Sequence, residues 1–195
     1  MKIITVRFKT ILVLLLLGIL FLGIISNKNK ILKIIYPLKY EEYIIKYSKK
    51  YDLDPWLVAA MIKVESKFDN EAKSRKDARG LMQIIPKTGQ WASEQIELEN
   101  YSDELLYNPE VNIRIGCWYL NKLRSQFEYN MNLVIASYNA GSGNVSKWLK
   151  DNRYSDDGVN LKNIPFKETR LYVEKVLKHY ENYKKIYGDN YFDIK

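Results

Sequence analysis

The sequence predicts an all-α protein, with one globular domain that follows an apolar N-terminal segment. Three observations support this fold class. Apolar residues recur at helical spacing along most of the chain. Residues that favour helix starts precede proline twice, in Asp54-Pro55 and Asn108-Pro109. No convincing run alternates apolar and polar residues as a half-buried strand would. A chain of 195 residues has room for one domain with a full core plus an appendage.

Residues 1–27 predict a signal anchor. Basic residues precede an uncharged apolar run that extends from Ile11 to Ile25. No small-x-small cleavage site follows the run, and no cysteine lies near its end to accept a lipid. The run is shorter than the roughly 20 residues of a comfortable span, and the lysines on either side do not settle its orientation. We expect an uncleaved single transmembrane span, a linker over 28–39 and a domain outside the membrane. Cleavage and secretion are the alternative.

The first half of the domain, which we place at 40–188, is predicted to be helical with polar turns. A helix over 40–51 ends before Asp52. Asp54 is a good N-cap, and Pro55 suits the first helical position because its missing N–H would be unpaired there anyway. The helix of 54–66 is apolar nearly all round, as expected for a helix buried in a core. Three further segments follow: a polar turn at 73–79, a short helix from Pro86 towards Glu94, and a connector with a helical turn over 101–108.

The second half of the domain is predicted to be helical as well. Asn108 and Pro109 open a helix that runs to about Phe127. Its apolar residues lie largely on one face: Val111, Ile115, Trp118 and Leu123. The remaining predicted segments are a helix from Asn132 through Tyr138 that Gly141 stops, a short helix over 144–150, a surface loop over 151–165, a terminal helix over 168–187 and a flexible tail over 189–195.

Glu65 stands at the C-terminal end of the apolar helix. Burial disfavours its charged form, and the negative end of the helix dipole disfavours that form further. Both effects raise the pKa, towards a carboxylic acid that keeps its proton near neutral pH. A general acid that breaks a glycosidic bond needs this property. From this helix alone, a glutamate that points into solvent is the alternative.

Three more blocks follow the Glu65 helix in chain order. They are Ser74 with Gly-Leu-Met-Gln-Ile at 80–84, Ser-Tyr-Asn-Ala-Gly-Ser-Gly-Asn-Val at 137–145, and Glu-Thr-Arg-Leu-Tyr-Val at 168–173. Together the four blocks resemble the soluble lytic transglycosylase catalytic domain, a lysozyme-like family that cleaves the glycan strands of peptidoglycan. The resemblance covers roughly residues 40–187, and it implies a lysozyme-like catalytic domain.

The resemblance also implies a reaction. In this family one glutamate makes both proton transfers, and Glu65 matches that residue. It protonates the glycosidic oxygen and then takes a proton from the C6 hydroxyl of the same N-acetylmuramic acid. That hydroxyl closes on C1 and leaves a 1,6-anhydro sugar. The acetamido group of the substrate is the usual proposal for stabilising the charge on the sugar ring, so a second carboxylate is not needed as a nucleophile.

Seven residues in the matching blocks are predicted to bind substrate: Ser74, Met82, Gln83, Tyr138, Asn139, Glu168 and Tyr172. A hydroxyl at Ser74 can steer the carboxyl of Glu65 or the acetamido group of the sugar. The amide of Gln83 can donate and accept hydrogen bonds with sugar hydroxyls. The phenols of Tyr138 and Tyr172 are expected near Glu65.

Ordinary structural roles stay open for some of these residues. Ser74 also suits a turn, Met82 also suits the core, and Glu168 also suits the start of a helix. The sequence departs from the family at two positions, because Asp77 stands where glycine is common and Ser137 replaces the usual alanine. Neither departure removes a functional group from the cleft.

Charge and composition bear on other classes of function. The formal net charge of +8 suits an anionic polymer such as cell wall, or anionic lipid. Nucleic acid is disfavoured by the export segment and by the lack of an Arg/Lys stripe on a recognition helix. Cys117 is the only cysteine, so an intrachain disulfide is excluded, and we expect this thiol to be buried. His179 has no nucleophile context, and no ligand cluster indicates a metal. We expect neither metal nor cofactor.

Two other functions remain open. One is a hydrolase like goose-type lysozyme, which would need a positioned water and commonly another acid. The other is an inactive, membrane-tethered wall-binding protein, against which the intact Glu65, Gln83 and Tyr138 argue. The expected partners are peptidoglycan glycan strands, the membrane through the N-terminal segment, and cell-envelope machinery of a kind that the sequence leaves open.

Overall fold

The computed structural model describes residues 2–188 and 191–192, in two compact units, Met1–Pro37 and Leu38–Lys195. The described residues form α-helices and one short 3-10 helix. Within that part of the chain the extended pairings are isolated bridges, which join Arg79 to Lys73 and to Ile84. The prediction of an all-helical protein is therefore confirmed.

The N-terminal unit contains two helices, α1 (Lys2–Ser26) and α2 (Lys28–Ile35). α2 occupies most of the segment predicted as a linker. The large apolar side chains described in α1 are exposed. By length and hydropathy no single described helix is a candidate membrane span, whereas 8–23 and Lys28–Ile35, bent by 63° to one another, meet those criteria as a pair.

The second unit contains the remaining helices. In chain order these are α3 (Glu41–Lys50), α4 (Pro55–Glu65), α5 (Pro86–Gln95), the 3-10 helix (Asp103–Tyr107), α6 (Pro109–Gln126), α7 (Met131–Ala140), α8 (Ser142–Leu149) and α9 (Lys167–Tyr187). Most helices agree with the predicted segments within one or two residues. α7 begins earlier than predicted, because the side chain of Asn130, and not that of Asn132, accepts the N–H of Leu133 at 3.3 Å. α8 likewise begins earlier, directly after Gly141, whose φ is +85°.

Helix α4 is the buried helix that the sequence predicts. Asp54 accepts a hydrogen bond from the backbone N–H of Trp56 at 2.8 Å, and Pro55 occupies the first helical position. Every side chain from Trp56 to Ile62 is buried. α4 packs against α9, and the hydroxyl of Tyr180 on α9 donates to the capping carboxylate of Asp54 at 2.7 Å.

Helix α6 crosses the core. The side chain of Asn108 caps it by accepting the N–H of Val111 at 3.1 Å. Ile115, Trp118 and Leu123 are buried as the helical spacing predicts, while Val111 is half-buried. Cys117 is fully buried as predicted, and its burial raises the pKa of the thiol.

The described part of the predicted flexible tail is anchored. The rings of Tyr191 and Phe192 lie 5.7 Å and 4.2 Å from the ring of Trp56. These two residues therefore pack on the start of α4, where their rings contribute apolar surface to an aromatic cluster. The rest of the tail, 189–190 and 193–195, lies outside the described residues.

Candidate active site

Most of the predicted site residues line one open cleft, with a volume of about 600 Å³. They come from four separate segments of the chain: Glu65, Ser74, Gln83, Tyr138, Asn139 and Glu168. A smaller cavity of about 270 Å³ lies between the 160–164 loop and α9. It contains none of the predicted residues, so the cleft that contains Glu65 is the candidate site.

Glu65 is the last residue of α4, and it is half-buried where it lines the cleft. Burial raises the pKa of this carboxyl to about 7. The hydroxyl of Tyr172 on α9 donates a hydrogen bond to Oε1 of Glu65 at 2.5 Å, which favours the charged form and opposes the effect of burial. The pKa is displaced in the predicted direction, and it leaves the group able both to give and to take a proton near neutral pH.

The two predicted cleft tyrosines take different positions around the acid. Tyr172 binds Glu65 directly, whereas the hydroxyl of Tyr138 donates to the carbonyl of Met82 at 2.7 Å. Burial, and secondarily the charge of Glu65, raises the pKa of both phenols. Both therefore stay protonated throughout the physiological range and remain hydrogen-bond donors.

Ser74 and Gln83 brace the loop on which they lie. The hydroxyl oxygen of Ser74 accepts the backbone N–H groups of Lys76 and Ala78 at 3.2 Å and 3.0 Å. The amide nitrogen of Gln83 donates to the carbonyls of Ala72 and Gly80 at 3.1 Å and 3.0 Å. Both side chains also line the cleft. Within the described part of the chain, the hydroxyl proton of Ser74 and Oε1 of Gln83 make no hydrogen bond, so both can face a ligand.

A buried asparagine and a glycine hold the same loop against the core. Asn112 on α6 donates to the carbonyls of Arg79 and Leu106 at 2.9 Å and 2.7 Å, and it accepts the N–H of Met82 at 2.8 Å. Gly80 has a φ of +71°, and a Cβ there would lie 2.1 Å from the backbone oxygen of Leu106. The glycine of the Gly-Leu-Met-Gln block is therefore required by a close backbone approach.

Met82, which is predicted to bind substrate, lies in the core and not at the cleft. Its side chain is fully buried and does not line the cleft. It packs so closely on α6 that a Cβ at Gly116 would lie 2.2 Å from its Sδ. The Met82 N–H donates to Oδ1 of Asn112, which holds the backbone of this residue beside α6. Met82 contributes to the site only through its carbonyl, which accepts the hydroxyl of Tyr138.

Asn139 and Glu168 lie where α7 approaches α9. The hydroxyl of Thr169 donates to Oδ1 of Asn139 at 2.8 Å, which ties the end of α7 to the first turn of α9. Glu168 is exposed on that first turn and lines the cleft. Glu168 can therefore stabilise the start of α9 and also face a ligand in the cleft, so both predicted roles remain open.

Several cleft residues are absent from the sequence prediction, among them Arg75, Lys76, Ile85, Thr88 and Tyr119. The two cations directly follow Ser74, so adjacency to a motif residue is the signal that could have identified them. Tyr119 follows the buried Trp118 by one position on α6, and its ring lies 5.5 Å from that of Tyr138. No motif marks it, since only the packing of α6 on α7 brings the two rings together.

Asp77, one of the two departures from the family pattern, is paired. Its carboxylate lies 2.9 Å from Nζ of Lys73 and 3.2 Å from Nε of Arg79. These partners, Arg79 first, hold the pKa of Asp77 below its usual range. In the described residues Arg75 and Lys76 have no carboxylate partner, so this side of the cleft carries net positive charge.

The domain is all-helical in its described residues, and Glu65 ends a buried helix and lines a cleft, as expected of a lysozyme-like domain. The chain belongs to the Transglycosylase SLT domain family, whose model matches residues 42–160. It is 35% identical over 156 residues to the soluble lytic murein transglycosylase of Escherichia coli K12, covering 79% of this chain and 24% of that protein. It is 30% identical over 166 residues to the membrane-bound lytic murein transglycosylase C of Actinobacillus pleuropneumoniae serotype 5b, covering 74% and 46%.

Solved structures show the same similarity. An inactive mutant of the lytic transglycosylase Slt from Pseudomonas aeruginosa superposes with a TM-score of 0.71 at 36% identity, over 79% of this chain and 25% of that one. The 70 kDa soluble lytic transglycosylase from Escherichia coli gives a TM-score of 0.72 at 32% identity, over 83% and 26%. The chain spans about a quarter of the length of the soluble relatives that it matches.

Proposed function

We propose that this chain is a peptidoglycan lytic transglycosylase. It cleaves the β-1,4 bond between N-acetylmuramic acid and N-acetylglucosamine and leaves a 1,6-anhydro-N-acetylmuramic acid end. The observation that carries this proposal is Glu65, an acid with a pKa of about 7 that the hydroxyl of Tyr172 holds in an open cleft. The names of the relatives in Escherichia coli and Actinobacillus pleuropneumoniae support the same activity.

In the first step protonated Glu65 gives its proton to the glycosidic oxygen, and the bond from that oxygen to C1 breaks. The carboxylate that remains then accepts the proton of the C6 hydroxyl, whose oxygen bonds to C1. Glu65 therefore ends the cycle protonated, as it began. Tyr172 donates a hydrogen bond that stabilises the carboxylate between the two transfers. A pKa near 7 suits a group that must act first as an acid and then as a base.

Intramolecular attack competes well with hydrolysis in such a site. The bound sugar holds its own C6 hydroxyl beside C1, which gives that hydroxyl a high effective concentration relative to water. In the described part of the chain the acids that line the cleft are Glu65 and Glu168. Glu168 is exposed on the first turn of α9 and would have to position a water if the chain were a goose-type hydrolase.

The charge of the cleft suits the proposed substrate. Arg75 and Lys76 line it, and the chain has a formal net charge of +8. Peptidoglycan strands carry carboxylates on their lactyl-peptide substituents, so cations at the cleft wall favour their approach. Ser74 and Gln83 offer the free donor and acceptor described above to the sugar ring.

Digestion of purified peptidoglycan in ¹⁸O-labelled water, followed by mass spectrometry, tests the reaction. We expect 1,6-anhydro products without label at C1. Label at C1 in most products would make the chain a hydrolase. Glu65→Gln should abolish cleavage, because general acid catalysis contributes about 10²–10⁴-fold. Glu174→Gln, an exposed change on α9 outside the cleft, is the matched control and should keep wild-type activity. A tenth of wild-type turnover in Glu65→Gln would refute the role of Glu65.

The same proposal places the chain in the cell membrane, with residues 1–27 as an uncleaved anchor and 40–188 as the extracytoplasmic catalytic domain. Two observations support it: the bent pair of helical segments in the N-terminal unit meets the length and hydropathy criteria for a span, and the relative of Actinobacillus pleuropneumoniae is named as membrane-bound. The full chain should stay with membranes after a carbonate wash and should retain residues 1–9 by mass spectrometry. Recovery of a soluble form that begins near Ser26 would refute the anchor.

A further inference from the structure

Trp91 is a large aromatic residue exposed beside the cleft. Its side chain is 44% exposed although it projects from a helix, α5, that packs on the core. Thr88, one turn earlier on the same helix, lines the cleft. The ring of buried Trp118 meets that of Trp91 at 4.8 Å with an interplanar angle of 74°, which fixes the exposed ring in place.

Tyr119 connects Trp91 to the catalytic part of the cleft. Its ring lies 6.3 Å from that of Trp91 and 5.5 Å from that of Tyr138. Among the described ring contacts Trp91 and Tyr138 do not pair with each other, so Tyr119 lies between them. Tyr138 and Tyr119 both line the cleft that contains Glu65. The aromatic surface is therefore continuous from the neighbourhood of the acid to Trp91.

We propose that Trp91 is a stacking platform for a sugar residue of the glycan strand that lies beyond the sugars held inside the cleft. This inference rests on the proposed function and extends its binding site. The flat C–H face of a pyranose ring covers an indole well, and an aromatic ring loses little conformational freedom on binding. The contact with Trp118 has already restricted that freedom, which lowers the entropic cost of binding further.

Tyr129 is another exposed aromatic residue of the domain, but it lacks this connection to the cleft. Tyr129 is 67% exposed, and the guanidinium of Arg124 stacks over its ring at 4.7 Å from the ring centroid. It lies in the turn between α6 and α7 and lines neither cavity described above. Tyr129→Ala is therefore a matched control for the loss of an exposed aromatic side chain.

The dependence of binding on strand length tests the platform. All variants carry Glu65→Gln so that strands are bound without turnover, and calorimetry measures their affinity for peptidoglycan glycan strands of increasing, defined length. Trp91→Ala should leave binding of the shortest strands unchanged and weaken binding of longer strands by about threefold to tenfold. Trp91→Phe should recover most of that affinity, and Tyr129→Ala should bind like its parent at every length.

Each other outcome overturns the inference in a recognisable way. Unchanged affinity of Trp91→Ala for long strands refutes the platform alone. Equal weakening at every length means that Trp91 supports the fold of the cleft and does not bind an additional sugar. If the chain with only Glu65→Gln binds no glycan at any length, the proposed function fails together with the platform.

Discussion

Replacement of Tyr172 by phenylalanine tests the electrostatic account of Glu65. The hydroxyl of Tyr172 lies 2.5 Å from Oε1 of Glu65 and is the described hydrogen-bond donor to that carboxyl. A hydrogen bond to the charged form lowers the pKa of Glu65, whereas burial raises it. Burial is the larger effect, so the pKa is about 7. Phenylalanine keeps the buried ring and removes the donor. The pKa of Glu65 should therefore rise further.

The size of the change follows from hydrogen-bond energies. A hydrogen bond to a charged group contributes about 1.5–3 kcal/mol and one to a neutral group about 0.5–1.5 kcal/mol. In Tyr172→Phe the carboxylate form of Glu65 therefore loses about 1–1.5 kcal/mol more hydrogen-bond stabilisation than the carboxylic acid form. This difference lowers the ionisation constant of Glu65 about tenfold. Glu65 must be protonated to begin the reaction, so activity falls as pH rises through its pKa. In Tyr172→Phe we expect the alkaline limb of kcat/KM to move from near pH 7 to about pH 8.

The assay is the release of anhydro sugars from peptidoglycan between about pH 5 and pH 10, as kcat/KM for each variant. Tyr180→Phe is the matched control, because it removes a phenol that donates to Asp54 at the other end of α4. Its alkaline limb should coincide with that of the wild type. An alkaline limb of Tyr172→Phe that stays in place or moves to lower pH would refute the reasoning. A uniform loss of rate without a shift would assign Tyr172 to positioning only.

The remaining predictions concern stability in urea. Glu65→Gln should stabilise the fold by about 3 kcal/mol at pH 8 and by nothing at pH 4, because the folded carboxyl keeps its proton up to about pH 7 while the unfolded one loses it near pH 4.5. A gain that persists at pH 4 would indicate packing and not charge. Asn112→Ala should destabilise the fold by about 3 kcal/mol or more, since it leaves the carbonyls of Arg79 and Leu106 and the N–H of Met82 unpaired. Wild-type stability would mean that water replaces the amide.

Short-range sequence features were sufficient to predict the part of the site that lies on α4. The cap at Asp54, the proline after it and the apolar run together specify α4 and its burial, and they place Glu65 at its end. The raised pKa follows from the same features, because burial is its largest cause. The family motifs then identified the segments that meet at the cleft. Helical periodicity alone does not show which distant segments are in contact.

The predictions that differ from the structure concern residues whose positions depend on contacts or turns outside their own helix. Met82 and Gln83 are neighbours in one motif, but the Met82 N–H donates to Oδ1 of Asn112 on the distant helix α6, and the methionine side chain is buried in the core. The start of α7 was misplaced because Glu128 and Tyr129 both have positive φ, of 48° and 66°, a conformation that is uncommon for such residues. This turn brings Asn130 into the capping position ahead of Asn132.

The bond between Tyr172 and Glu65 joins residues that are 107 positions apart in the chain. At ribosomal rates, Tyr172 is polymerised about 5–20 s after Glu65. Until α9 has docked on α4, Glu65 is hydrated and ionised at neutral pH, so it has no proton to give. We therefore expect a nascent polypeptide to be chemically inert, because the protonation state that the reaction requires arises only after a segment 107 positions further along the chain has folded onto α4.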